Sequence, residues 1–194
     1  MNVGHRSLFD EVISRGNLLL AWKEFCCGKR KKKDVQIFER YLEDNLSRLH
    51  WEIGKGFYLH GGYQSFIMKD PKLRIIHKAS VRDRVLHHAI FRVLYRLYDP
   101  ALIDDTYACR NRRGSHAAVE RLSGFLQKES RNFTQPAFAL KCDIRKFFAS
   151  VNHEILKEIL LRRITELKLQ KLLFSVIDSY AEATSRERER SVGE

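Results

Sequence analysis

The stretch from Phe138 to His153 constrains this chain more than any other. Phe138, Leu140 and Cys142 alternate with Ala139, Lys141 and Asp143, a period of two that predicts a short strand over 138–143 ending on a carboxylate. The aromatic pair Phe147-Phe148 follows, and Asn152 opens a helix as its cap. A carboxylate at a strand end beside basic and aromatic side chains is what metal-assisted phosphoryl transfer requires. An isolated aspartate in such a place is more often a cap or an ion-pair partner. Only the flanking residues lift Asp143 above that.

The rest of the chain is suited to a polyanionic ligand. Its 194 residues are enough for one domain, and 44% hydrophobic content can fill a core. Formal charge is +12, and each of the stretches 1–34, 35–80, 81–113 and 114–194 is net positive. A basic excess spread over a whole fold fits nucleic acid better than a single charged tail does. Cys26, Cys27, Cys109 and Cys142 have no zinc-like spacing, so a reducing, cytoplasmic setting is expected rather than a disulfide framework. Apolar runs such as Leu18–Trp22 are too short to span a bilayer, and Asp10 and Glu11 interrupt any signal sequence. No membrane partner is expected.

Periodicity predicts helices over 7–27, with Leu8, Val12, Leu19, Trp22 and Phe25 inward, and over 34–53, with Val35, Phe38, Leu42, Leu46, Leu49 and Ile53 inward. Between them, Lys29, Arg30, Lys31, Lys32 and Lys33 form either a solvated loop or a phosphate-contacting one. Segments 63–68 and 73–78 read as a hairpin about Asp70-Pro71-Lys72. Further helices are expected over 81–98, 115–128, 153–163 and 166–180, with an extended piece at 107–110 and a turn at 111–114. Asp83 and Arg84 are expected in structural ion pairs, and His87 and His88 in packing or at the surface. Asp104-Asp105 reads as a loop or helix-capping feature. Residues 185–194 alternate in charge with almost nothing apolar, which suits a disordered tail or, alternatively, a solvated ion-paired helix.

Several blocks in order resemble the reverse transcriptases of bacterial retroelements, most closely the diversity-generating type, with retron and group II intron enzymes as relatives. They are Lys69-Asp70-Pro71-Lys72-Leu73-Arg74-Ile75-Ile76, Arg82-Asp83-Arg84-Val85-Leu86-His87-His88-Ala89-Ile90, Tyr107–His116 and Cys142-Asp143-Ile144-Arg145-Lys146-Phe147-Phe148. The resemblance implies a helix-rich α+β fold, the fingers and partial palm of a right-hand polymerase. It divides the chain into an N-terminal helical region (1–60), fingers (61–136), a partial palm (137–184) and the charged tail (185–194). It also implies Mg²⁺ held by Asp143 and the backbone carbonyl of Ile144. Arg74, assisted by Lys69 or Lys72, would reach the triphosphate, and Phe148 would sit under the sugar and exclude a 2′-hydroxyl, with Phe147 in the core. Arg110, Arg113, Gly114 and Ser115 would meet the template backbone. The implied partners are an RNA template, a DNA primer, deoxynucleoside triphosphates and a retroelement accessory protein.

The family's glycine-rich palm motif and aromatic-x-Asp-Asp motif are expected after Tyr180, and the text there turns instead into Arg/Glu alternation. The expectation is therefore a polymerase fragment truncated before the rest of the palm and the thumb, inactive alone. A non-enzymatic nucleic-acid-binding remnant is the alternative.

Overall fold

A computed structural model describes residues 7–69, 73–145 and 147–192. Asp70, Pro71, Lys72 and Lys146 lie outside the described residues. The elements are α1 (Leu8–Ile13), α2 (Arg15–Cys26), α3 (Lys33–Arg40), α4 (Leu42–Gly54), β1 (Gln64–Met68), β2 (Arg74–Lys78), α5 (Val81–Tyr98), a 3₁₀ turn (Asp99–Ala101), α6 (Ser115–Glu129), α7 (Phe147–Ser150), α8 (His153–Leu161) and α9 (Leu167–Val192). The protein is a helix-rich α+β chain with one two-stranded antiparallel sheet. It separates into two compact units, Met1–Leu94 with Asn152–Glu194, and Tyr95–Val151. The divisions fall inside α5 and at the cap of α8, where composition carries no linker to read.

In the first unit, the single helix expected over 7–27 is two. Ser14 ends α1, its N–H donating to Glu11 O, and begins α2, its Oγ accepting from Asn17 N at 3.2 Å. Serine competes for backbone hydrogen bonds and so favours caps over helix interiors. The break resets the phase: Leu18, Ala21, Trp22 and Phe25 face inward, while Leu19 is 40% exposed, against expectation. Tyr41 likewise separates α3 from α4, yet Val35, Phe38, Leu46, Leu49 and Ile53 of the predicted stripe are buried, while Leu42, at the break, is only partly so. Gly56, at φ +77°, closes α4 while Phe57 N donates to Glu52 O at 2.8 Å, a left-handed position glycine takes without a Cβ penalty.

The core joins these helices to Val85, Leu86, Ala89 and Val93 of α5 and to Leu169, Leu172 and Leu173 of α9. Trp22 stacks on Phe38 at 5.2 Å. Glu166, just before α9, accepts from Leu8 N at 2.7 Å and Phe9 N at 2.9 Å, supplying a negative cap to the first turn of α1.

The hairpin pairs Gln64 with Lys78 through Met68 with Arg74, within the two segments expected to form it. Its strands are exposed to half-buried, so polar ties fix its base. Lys78 Nζ and Arg84 Nη2 both donate to Asp34 Oδ2, at 2.6 and 2.9 Å. Burial works to raise the Asp34 carboxyl, but these two cations hold it below the usual carboxylate range. Fully buried Asp83 accepts from Ser80 Oγ (2.6 Å), Tyr58 Oη (2.9 Å) and Gly61 N (3.1 Å), with Arg82 at 3.4 Å. A Cβ on Gly61 would lie 2.7 Å from Asp83 Oδ2, so only glycine permits this approach. Asp83 and Arg84 are therefore structural, as expected.

The second unit differs from its sequence reading in three places. Residues 107–110 turn rather than extend, with Cys109 at φ 57° and Arg112 at φ 61°. Segment 138–143 forms no ladder, because no strand among the described residues offers it hydrogen bonds, and Phe138 and Leu140 are 95% and 91% exposed. Phe147, expected in the core, is half exposed. In the first unit, the tail expected to be disordered over 185–194 is helical as far as Val192; arginine and glutamate are both good helix formers. Among the described residues no helix is long and apolar enough to cross a membrane.

Candidate metal and nucleic-acid site

Asp143 lies in the extended segment between α6 and α7, exposed, with no hydrogen bond or ion pair among the described residues. Among the described residues it neither caps a helix nor pairs with a cation, the two ordinary employments of such an aspartate. Ile144 follows, 63% exposed. One turn later Phe148 is 83% exposed, its ring meeting Phe147 edge-on at 5.3 Å. An open carboxylate, a neighbouring carbonyl and an uncovered ring thus stand within six residues of one another. Oxygen donors suit Mg²⁺, which binds proteins through one or two carboxylates and completes its shell with phosphate and water. Asp143 and Ile144 fit that donor chemistry, and among the described residues no group of three His, Cys, Asp or Glu is arranged to hold a metal.

The loops before α6 are set by arginine–aspartate pairs. Arg110 donates from Nε to Asp99 Oδ1 (2.8 Å), from Nη1 to Ile103 O (3.1 Å) and from Nη2 to Asp99 O (3.4 Å), its side chain only 8% exposed. Hydrogen bonding from Arg110 holds the Asp99 carboxyl below its usual range. Arg110 is a strut of this loop, with three of its five donors spent internally. Arg113 pairs with Asp104, and Arg121 with Asp105 at 2.8 Å, so Asp104-Asp105 is a loop feature as predicted. Hydrogen bonding from Arg121 lowers the Asp105 carboxyl in turn. Gly114 caps α6 without a side-chain hydrogen bond, leaving the amides from Ser115 onward as the open N-terminus of that helix.

In the other unit, the basic run is divided in employment. Lys29 Nζ donates to Phe25 O at 3.0 Å and lies 4.8 Å over the Phe25 ring, and Arg30 pairs with Glu39 at 3.5 Å. Lys31, Lys32 and Lys33 are exposed and carry no ion pair among the described residues. Lys69 and Arg74, at the two sides of the hairpin tip, are exposed as well, while Lys72 lies outside the described residues. The candidate residues therefore divide between the units: Lys29–Lys33, Lys69 and Arg74 in one; Arg110–Ser115, Asp143, Ile144 and Phe148 in the other.

Sequence reasoning missed a histidine pair. His60 Nδ1 lies 2.6 Å from Gly61 O, and His60 Nε2 lies 3.1 Å from His87 Nε2. Burial, with His60 alongside, pushes the His87 imidazole down to about 4. His60 sits in a glycine-rich turn with no periodicity, so nothing in the sequence placed it against α5.

No family model matches the sequence. The chain is similar to Protein YkfC of Escherichia coli (strain K12), 24% identical over 106 residues, which are 55% of this chain and 27% of that protein. The chain thus matches only about a quarter of its curated relative, whose name states no activity.

Proposed function

We propose that this chain is the fingers and first palm segment of a retroelement RNA-directed DNA polymerase, which adds deoxynucleotides to a primer on an RNA template. The observation that carries the reading is Asp143: a carboxylate left open, without a structural partner among the described residues, five positions before an uncovered aromatic ring.

The chain's own residues then divide the work. Asp143 and the Ile144 carbonyl would hold Mg²⁺, which supplies charge neutralisation at the triphosphate when bound. Arg74, exposed at the start of β2, with Lys69 across the tip, offers cations where negative charge develops. Phe148 presents its ring to the sugar, excluding a 2′-hydroxyl by volume. In one unit the open amides of α6 face template phosphate, with Arg113, a third exposed, in the loop before that helix; in the other, Lys31–Lys33 offer exposed cations to the backbone. Further carboxylates for a two-metal site must come from other residues of the functional enzyme, because Asp104 and Asp105 are engaged by Arg113 and Arg121.

A second reading, nucleic-acid binding without chemistry, is favoured by the distributed charge of +12 and by the three exposed lysines at 31–33, which form no ion pair among the described residues. The nucleotide sequence downstream of the Glu194 codon, translated in every frame, separates the two. An aromatic-x-Asp-Asp motif there is the expected result. Its absence would contradict the polymerase reading and leave the binding one.

A further inference from the structure

A cleft of about 280 Å³ in the first unit is lined by Phe9 of α1, by Ile53, Gly54, Lys55 and Gly56 at the end of α4, by Tyr58, and by Lys168, Lys171, Leu172 and Ser175 of α9. Its composition is lopsided: three lysines and no carboxylate. Lys168, Lys171, Leu172 and Ser175 follow one another at i, i+3, i+4 and i+7, so a single stripe of α9 faces the cleft. Like charges three residues apart repel, and Lys168 and Lys171 stand on the first turns of α9, where the helix dipole adds positive potential.

The acids that could have relieved this are spent elsewhere. Glu166 gives both oxygens to the amides of α1, and Glu52 pairs with Arg82. Lys55, Lys168 and Lys171 are exposed and form no ion pair among the described residues; Lys168 only overlies the Phe9 ring, at 5.8 Å. Beneath them the floor is apolar, lined by Phe9, Ile53, Tyr58 and Leu172, each buried. A cationic rim over an apolar floor calls for a ligand with an anionic group and a flat apolar body. The volume is at the lower end of ligand pockets, which begin near roughly 300 Å³, so one small unit fits and a chain of them does not.

We infer that this cleft binds one unpaired nucleotide, its phosphate on Lys55, Lys168 and Lys171 and its base over Phe9 and Leu172. The inference rests on the nucleic-acid reading above and adds a contact separate from Asp143 and from Lys31–Lys33. Single-stranded nucleic acid is gripped by this combination of backbone cations and a surface for the base. Duplex cannot present a base to the cleft.

The test uses the full chain and a labelled single-stranded oligouridylate of about ten nucleotides, within the usual span of single-strand sites, with a duplex of equal length and uridine 5′-monophosphate as separate probes. Two variants address the cleft: Lys168→Ala/Lys171→Ala on exposed positions, and Ser175→Trp, which fills it without changing charge. Each should weaken the oligonucleotide about fivefold or more, by losing one nucleotide's contacts, and leave duplex affinity within twofold. The lysine variant should also flatten the salt dependence by about 0.7 in log–log slope, the share of one single-strand phosphate. Unchanged oligonucleotide binding by both cleft variants, with loss in Lys31→Ala/Lys32→Ala/Lys33→Ala, overturns the inference and leaves the nucleic-acid reading standing. No binding of any oligonucleotide by the wild-type chain overturns that reading too. Saturable binding of the monophosphate, lost in Ser175→Trp while the oligonucleotide is unaffected, would reassign the cleft to free nucleotides.

Discussion

The two units of this chain are held by different physics. Every buried apolar side chain among the described residues belongs to the unit formed by 1–94 and 152–194, and in the unit 95–151 only Ser130 is buried. The first has Trp22, Phe25, Leu49, Leu86 and Leu169 sealed from solvent; the second has Val119, Leu122 and Phe125 of α6 exposed along one face, and Phe138 and Leu140 almost bare. Its shape rests on arginine–aspartate pairs and turns: Arg110 with Asp99, Arg113 with Asp104, Arg121 with Asp105, and three successive left-handed residues, Arg131 to Phe133. With no buried apolar side chain among its described residues, the second unit lacks the term that dominates folding, and exposed pairs such as Arg121 with Asp105 contribute little. The carboxylate proposed for chemistry sits on that unit.

The sharpest way to break the comparison is truncation in each unit. Trp22→Ala should cost about 3–5 kcal/mol in urea unfolding, as large aromatic deletions in packed cores do. Phe125→Ala, on the exposed face of α6, should stay within about 0.5 kcal/mol. Equal costs would show that the second unit has a core of its own.

Acid should separate the units next. His87 binds its proton in the unfolded chain near 6.5 but in the folded one only near 4. The unfolded state therefore takes up the proton first, and stability present above about pH 6.5 is lost as pH falls toward 4, by at most about 3 kcal/mol. Asp99 and Asp105 have depressed carboxyls, so the ties of the second unit persist until pH falls below the ordinary carboxylate range. A melting temperature that drops across this interval in wild type but not in His87→Asn is the expected record. A flat profile would remove the histidine pair from the account. Salt should act the other way: raising ionic strength should speed amide exchange in α6 through its exposed pairs while leaving α2 and α5 protected.

The smallest expected effect concerns the aromatic pair. Phe147, half exposed, should tolerate alanine with a loss of about 1 kcal/mol or less instead of the several expected of a core ring. In a polymerase-competent form Phe148→Ala should raise ribonucleotide use relative to deoxynucleotide. Reversed behaviour of the two rings would exchange their roles.

What the sequence made legible follows the same division. The stripe shared by α3 and α4 could be read because burial imposes a period on it, and the hairpin from its two strand-like runs about a turn. In α2 the phase slipped: Ser14 broke the helix, and Leu18 rather than Leu19 took the core position. The alternation over 138–143 is real, but a strand is a relation between two segments, and its partner is not among the described residues. The pairing of Arg110 with Asp99 could not be read, because sequence shows a charge and not its partner in the fold. The lysines of the cleft cannot be read as a group, because Lys55 and Lys171 are distant in sequence and come together through α1, against which α4 and α9 both pack.

The central claim is that Asp143 is a metal ligand for nucleotide addition. It is tested most directly by primer extension on poly(rA) with Mg²⁺, using the chain alone and the chain joined to the segment encoded downstream. The account predicts no incorporation by these 194 residues alone, deoxynucleotide incorporation by the joined protein, and its abolition by Asp143→Asn. Incorporation that survives Asp143→Asn, or a joined and folded protein that binds primer and template yet adds no nucleotide, would contradict it.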